Sequence, residues 1–344
     1  MAAQNNAPLP DGLDIAGYRI VKKIASGGFS IVYLAYDGDG NAVAIKEYLP
    51  SALALRQPGE LVPVVAKQNL PVFRIGLKCF FEEGRALARI VHPNVVRVLN
   101  FFRANDTVYM VMAYESGQSL QEHIARAAAK GSRPGERFVR QVFHGVCNGL
   151  REVHANKLLH LDLKPANIYL RTDGSPLLLD FGAARQTLHS DAPMLAPMYT
   201  PGFAAPDLYA RGTSLGPWTD IYSLGASMLA CMTGSTPQPV DARRTEDKMP
   251  AHLARLNGRY SPELAQLVES CLALDPLARP QSVFAIQKAL QTAPARRPAA
   301  PASIPAPAAA PAAAGQAAAP ATEPLEAGET RLGWRGLLGA FKRD

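Results

Sequence analysis

Cysteine is scarce: four in 344 residues, at Cys79, Cys147, Cys231 and Cys271, with no C-x-x-C pair. That spacing excludes a thiol-ligated zinc site. Isolated cysteines behave as small apolar side chains, as expected in a reducing compartment. Excess charge of one sign is thin too. The net charge is +7, from 36 basic and 29 acidic side chains spread along the chain. There is no arginine-rich arm and no aromatic–basic interleaving, so no nucleic-acid partner is expected. Long apolar runs are missing. The longest, Leu224–Met232, falls well short of the roughly 20 residues a membrane-spanning helix needs, and it reads as a buried core helix. Met1–Asp14 is polar, with no charged start leading into an apolar run. No secretory leader is expected there, and a cytoplasmic location is the default.

What is present is enough apolar sequence to bury a core. The first third is strand-like. Tyr18–Ile24 alternates, Gly27-Gly28 interrupts, Ser30–Tyr36 alternates again, Asp37-Gly38-Asp39-Gly40 turns, and Ala42–Tyr48 follows. Residues 50–78 read as a long irregular connection, of a kind often functional or mobile. Phe80, Glu83, Leu87 and Ile90 then have helical spacing up to His92-Pro93-Asn94, and Val95–Phe102 and Thr107–Tyr114 read as strands. Beyond Gly117 the periodicity is helical, over Phe138–His154, Asp220–Thr233, Pro262–Leu274 and Ser282–Thr292. The expectation is an α+β chain: a flexible start at 1–14, a β-rich lobe over about 15–113 and a mainly helical lobe over about 114–292. An Ala/Pro-rich linker that cannot bury enough surface to order itself follows over 293–329.

The strongest local signal is His160-Leu161-Asp162-Leu163-Lys164-Pro165-Ala166-Asn167. Asn167 opens a short strand, Thr172-Asp173-Gly174 turns, and Pro176–Leu179 returns to Asp180-Phe181-Gly182. A hairpin of that length brings Asn167 and Asp180 to the same open end. An amide oxygen and a carboxylate meeting there are hard ligands suited to Mg²⁺ on a nucleotide. Asp162, just before, can orient a hydroxyl and accept its proton, and Lys164 can offset charge on a transferring group. Two further residues look ordinary in isolation. Lys46 ends Val43-Ala44-Ile45-Lys46, where it shares a strand face with small Ala44, and most such lysines are merely solvated. Glu83 is preferred over its neighbour Glu82 as a partner for Lys46, because it lies on the face of Phe80 and Leu87.

In this order the motifs resemble those of the eukaryotic-type (Hanks-type) protein kinases, and more narrowly their bacterial serine/threonine members. The resemblance runs from about Tyr18 to Leu290. It implies a two-lobed fold with ATP and Mg²⁺ (or Mn²⁺) in the cleft, and protein substrates phosphorylated on Ser or Thr. It implies ATP beneath the turn formed by Ile24, Ala25, Ser26, Gly27, Gly28, Phe29, Ser30, Ile31 and Val32, and against Ala44. Lys46 is implied on the phosphates and paired with Glu83, Met112 as the gatekeeper, and Ala113 and Glu115 beside the base edge. Asp162, Lys164 and Asn167 are implied in catalysis, Asn167 and Asp180 on the metal, and Thr200 beside the catalytic Asp. Val98, Leu87, His160 and Phe181 are implied as an apolar stack aligning the lobes, Asp220 as the anchor of the catalytic loop, and Asp207 as the partner of Arg279.

Three departures stand out. Of the glycines in the family's G-x-G-x-x-G, only Gly27 remains, Ala25 and Ser30 replacing the others, so a stiffer lid is expected. Leu161 stands where the family has the arginine that pairs with a phosphorylated activation loop, so little dependence on loop phosphorylation is expected, although Thr187 and Ser190 are candidate phosphosites. Asp207 replaces a glutamate. A pseudokinase scaffold is the main rival reading, and it would be favoured by loss of Lys46, Asp162 or Asp180; all three are present. A small-molecule kinase, against which the Thr200–Asp207 segment and Arg279 speak, and a regulatory subunit acting through its linker and tail are the others. In the tail, Trp334, Leu337, Leu338 and Phe341 share helical spacing among Arg331, Arg335, Lys342 and Arg343. Residues 330–344 are therefore a candidate basic amphipathic segment for a partner protein or a peripheral membrane contact, though three glycines weaken a helix there.

Overall fold

The computed structural model describes residues 6–181, 199–209 and 213–291. Thr187, Ser190, the linker and the tail lie outside the described residues. The first lobe is a six-stranded antiparallel sheet of order β1-β2-β3-β4-β8-β7. Its strands are β1 (Asp14–Ile15), β2 (Tyr18–Ser26), β3 (Ser30–Tyr36), β4 (Ala42–Tyr48), β7 (Val98–Ala104) and β8 (Thr107–Ala113). β4 is central. Its register puts Lys46 opposite Val32 on one side and Met110 on the other, with Ala44 opposite Met112. Alternation then sends Lys46 and Glu47 to opposite faces of the sheet.

The connection after β4 differs from expectation. It is ordered: it forms a small hairpin, β5 (Ala54–Leu55) with β6 (Val64–Val65), and then the helix α1 (Leu70–Leu87). The helix thus starts ten residues before Phe80, because Pro71 occupies its first turn, where no N–H is needed. Phe73, Leu77, Phe80 and Leu87 form its buried stripe. Each such side chain contributes roughly 1.5–3 kcal/mol on burial. Two glycines let the helix approach the sheet closely: a Cβ at Gly84 would collide with Phe101 and Met110, and one at Gly76 with Tyr48. The start of the chain is also more engaged than its polar composition suggested. Leu9 is buried in the core, and Asn6 and Ala7 bond to the segment around Arg56.

The second lobe is helical, with α2 (Leu120–Ala129), α3 (Glu136–Ala155), α4 (Pro217–Thr233), α5 (Val240–Thr245), α6 (Met249–Ala254), α7 (Pro262–Cys271) and α8 (Val283–Gln291). α2 starts at a reciprocal cap: the Ser119 hydroxyl accepts from Glu122 N–H (3.1 Å) while the Glu122 carboxylate accepts from Ser119 N–H (2.7 Å). α4 is buried along almost its whole length, which makes it the lobe's central post. None of the described helices is long and apolar enough to cross a membrane. On the face of this lobe lies the hairpin expected from Asn167 to Asp180, as β10 (Ile168–Arg171) and β11 (Pro176–Leu178), joined by a third strand not foreseen, β9 (Gly117–Ser119).

Candidate active site

The hairpin pairs Ile168 with Leu178, so Asn167 and Leu179 sit side by side, and the Leu179 N–H donates to the Asn167 carbonyl at 2.9 Å. The Asn167 amide nitrogen donates to the Asp162 carbonyl (2.8 Å), to an Asp162 carboxylate oxygen (3.0 Å) and to the Asp180 carbonyl (3.4 Å). The Lys164 ammonium donates to both Asp162 oxygens (3.1 and 3.0 Å) and to the Thr200 hydroxyl (2.9 Å). Thr200 closes the triangle by donating to Asp162 at 3.2 Å. Three residues from two segments 33 or more positions apart in sequence thus converge on one carboxylate, that of Asp162, which is only 9% exposed. The ammonium, the amide and the hydroxyl all donate to this one carboxylate, which fixes its orientation.

The loop is held from below by Asp220 in the first turn of α4. Its carboxylate accepts from the backbone N–H groups of His160 and Leu161, each at 2.8 Å, and contacts the His154 ring nitrogen at 2.8 Å. Burial disfavours its charge, but these bonds and the neighbouring His154 and His160 hold its pKa below the ordinary carboxylate value. The grip accounts for a left-handed Leu161, φ +64°, a conformation leucine adopts only when its surroundings impose it. His160 is fully buried, stacked on Phe181 with ring centroids 4.4 Å apart. Burial pushes its pKa down, against the pull of Asp220, Asp162 and Asp180. Leu87 and Val98 are buried as well.

Across the cleft, the Lys46 ammonium meets the Asp180 carboxylate at 2.9 Å and stands 5.7 Å from the centre of the Phe80 ring. Glu83 is buried on the same face of α1, one turn beyond Phe80. Asp180 itself adopts φ +47°, at the end of the hairpin. Above the cleft, β2 and β3 form a tight hairpin pairing Ser26 with Ile31, closed by Gly27 N–H to the Ser30 carbonyl (2.9 Å). Ala25 stands opposite Val32, and Ile24 is 42% exposed at the mouth. The tip of this hairpin is tethered: Leu49 N–H donates to the Phe29 carbonyl (2.8 Å) and Ser51 N–H to the Gly28 carbonyl (2.9 Å). At the rear, Met112 is buried beside Ala44 and leads through Ala113 to Glu115. The Glu115 carbonyl accepts from Tyr169 (3.2 Å) and its carboxylate from Arg171 (3.1 Å).

The donor set can be tested against a magnesium-bound nucleotide. The Asn167 amide nitrogen is taken up by Asp162 and the Asp180 carbonyl, which leaves the Asn167 amide oxygen and the Asp180 carboxylate as the hard oxygens at this end of the hairpin. Among the described residues no cluster of three or more acidic, His or Cys side chains could hold a metal by itself. Two hard oxygens and no more fit an ion that takes its remaining ligands from phosphate and water, which is the habit of Mg²⁺.

Comparison with known proteins decides the matter. The sequence profile described as the protein kinase domain matches residues 18–293. The chain belongs to the protein kinase family. Its kinase domain is similar to bacterial serine/threonine kinases: 29% identical over 302 residues to PknD of Chlamydia caviae, covering 78% of this chain and 30% of that protein. It is 30% identical over 298 residues to PknK of Mycobacterium tuberculosis, covering 86% of this chain and 24% of that one. The chain therefore spans less than a third of the length of these relatives. Among solved structures, PpkA-294 in its apo form is 35% identical, with a TM-score of 0.74 over 83% of this chain and 99% of that one.

Within the kinase domain, the Asp207–Arg279 pair forms as read from the sequence, fork to fork at 2.9 and 3.0 Å and fully buried, with the Thr219 hydroxyl on the same carboxylate. Two features were not read. His154 buttresses Asp220, and its only signal was a place at the end of a helix. Arg56 is 1% exposed and grips Glu47, immediately next to Lys46; it lies in the connection over 50–78, whose irregular sequence carries no signal for a buried partner.

Proposed function

We propose that this chain transfers the γ-phosphoryl group of ATP to serine and threonine hydroxyls of protein substrates. The observation that carries this reading is the Asp162–Lys164–Thr200 triangle, closed at 2.9 to 3.2 Å and braced by Asn167. In this role Asp162 accepts the proton of the attacking hydroxyl, and Lys164 offsets negative charge on the group in transit. Thr200 aligns the two and supports the segment on which a peptide lies. Lys46 holds the nucleotide phosphates, Glu83 serves as its partner, and the turn from Ile24 to Val32 covers them. Met112, Ala113 and Glu115 border the base. Mg²⁺, carried by Asn167 and Asp180, would neutralise phosphate charge when bound. In-line transfer needs little covalent help from protein, so positioning by these residues is the catalysis. Nothing among the described residues favours nucleotide binding without turnover.

Leu161 takes the place of a phosphate-binding arginine, while Asp220 fixes the loop through main-chain bonds that need no phosphate. The kinase is thus proposed to be active without loop phosphorylation. Residues 330–344 are proposed as its contact to a partner or membrane surface; deleting them and finding fractionation and pull-downs unchanged would remove that role. The deciding experiment for the enzyme is phosphoryl transfer from labelled ATP with Mg²⁺, comparing wild type with Asp162→Asn and Lys46→Met. Transfer should fall by about 10²–10⁴-fold in Asp162→Asn. Equal incorporation in all three proteins would defeat the reading.

A further inference from the structure

The strand that carries Lys46 has a second, hidden side. Glu47 points away from the cleft and is fully buried. Its carboxylate accepts from the Tyr33 hydroxyl of β3 (2.7 Å), from the Tyr109 hydroxyl of β8 (2.8 Å) and from both ends of the Arg56 fork (2.5 and 2.7 Å). One side chain thereby ties the Lys46 strand to both its neighbours. Arg56 also donates to Tyr33 (2.8 Å) and to the Ala7 carbonyl (2.8 Å), and its backbone N–H donates to Asn6 (2.7 Å). The Tyr33 hydroxyl accepts from Leu9 N–H (3.1 Å). The same segment, a few residues earlier, tethers the tip of the phosphate-covering turn through Leu49 and Ser51. Residues 49–56 therefore touch both elements that would hold the nucleotide phosphates, one through main-chain bonds and one through a buried ion pair.

We infer that residues 49–56 are a phosphate-site brace, and that Arg56 is a positioning residue which sets the pitch of the Lys46 strand through Glu47; this rests on the kinase reading given above. A buried ion pair is a poor device for stability alone, because well-packed apolar residues of similar volume serve as well or better. What such a pair supplies is geometry. A planar fork meeting a carboxylate in two bonds fixes distance and angle together. Both tyrosine hydroxyls stay protonated donors, since burial and the Glu47 charge push their pKa values up. Every oxygen of the carboxylate is therefore engaged, and the strand has one orientation in which all these bonds are made. The brace also gives the N-terminal segment a mechanical route to the cleft: anything that draws residues 6–9 off the sheet loosens Arg56 and, through it, Lys46.

The test compares wild type with Arg56→Lys, which keeps the buried charge but not the fork, and with the neutral, hydrogen-bonding double variant Glu47→Gln/Arg56→Gln. Each is measured for thermal midpoint, for MgATP binding by fluorescence titration with a labelled ATP analogue, and for KM of ATP and of a protein substrate separately. The brace predicts that both variants raise the KM and Kd for ATP about tenfold, a loss of roughly 1.4 kcal/mol, with the KM for protein substrate within twofold. A variant that melts lower yet binds and turns over MgATP as wild type does assigns Arg56 to stability alone and overturns the inference. A wild-type chain that fails to bind MgATP would remove the kinase reading instead, so the two failures are distinguishable.

Discussion

Two buried arginine–carboxylate pairs, one in each lobe, make an instructive comparison. Asp207–Arg279 and Glu47–Arg56 are both two-pronged, both sealed from water and both surrounded by further donors and acceptors. They differ in what they join. Arg279 reaches 72 residues back in sequence and takes the carbonyls of Trp218, Ala273 and Leu274 as well, so it pins the segment around Thr200 to the helical lobe. Arg56 reaches only nine residues back, but its carboxylate is the neighbour of Lys46. On the proposed reading, one pair supports the platform on which a peptide would be presented. The other stands behind Lys46, the cation proposed to hold the phosphates. Similar chemistry is used for different ends of one reaction, because each lobe must be rigid where its substrate touches it.

The comparison can be broken most forcefully at the C-lobe pair. Arg279→Leu leaves the Asp207 carboxylate buried without its countercharge and should cost about 3–5 kcal/mol of stability. Denaturant midpoints measure this, and MgATP affinity of the folded protein should stay within twofold of wild type. Weakened ATP binding at the same level as in Arg56→Lys would erase the distinction between the pairs. A smaller effect isolates what the C-lobe pair supports. Thr200→Val removes the hydroxyl between Asp162 and Lys164, and with the proposed alignment of these two groups lost kcat should fall about tenfold or more. Its thermal midpoint should barely move, separating the platform's catalytic contribution from its stability.

Between the two pairs lies a group that titrates. Burial depresses the His160 pKa, so the folded protein favours the neutral ring while the unfolded chain binds a proton below about 6.5. The unfolded state then holds more protons, and stability should fall as pH drops from 7.5 to 5.5. His160→Phe should flatten that slope; an unchanged slope in urea titrations would assign the loss elsewhere. The smallest expected effect is on activation. Phosphatase treatment of active protein should leave its rate within about twofold, since Leu161 offers no charge to a phosphate. A tenfold drop would show that loop phosphate controls the platform after all.

Much of the site was legible because it is local. Asp162, Lys164 and Asn167 lie within six positions, and a hairpin of fixed length returns the chain to Asp180. Spacing alone therefore determined that these groups would meet. The helix after β4 starts ten residues before the helical spacing read from Phe80, because its first turns fall in the proline-containing connection and Pro71 is tolerated at the helix start, where no N–H is needed. The N-terminal segment was read as flexible because its value lies in one leucine and a few main-chain groups, which composition does not weigh.

By itself, then, the sequence determined the order of lobes, the loop from His160 to Asn167 and the hairpin that follows it, since each depends on periodicity or on short covalent distance. Only the tertiary structure decided that His154 stands under Asp220 and that Arg56 stands behind Lys46. Those pairings depend on burial, and the pairing of a buried charge is fixed by which surfaces the fold brings together rather than by the residues on either side of it.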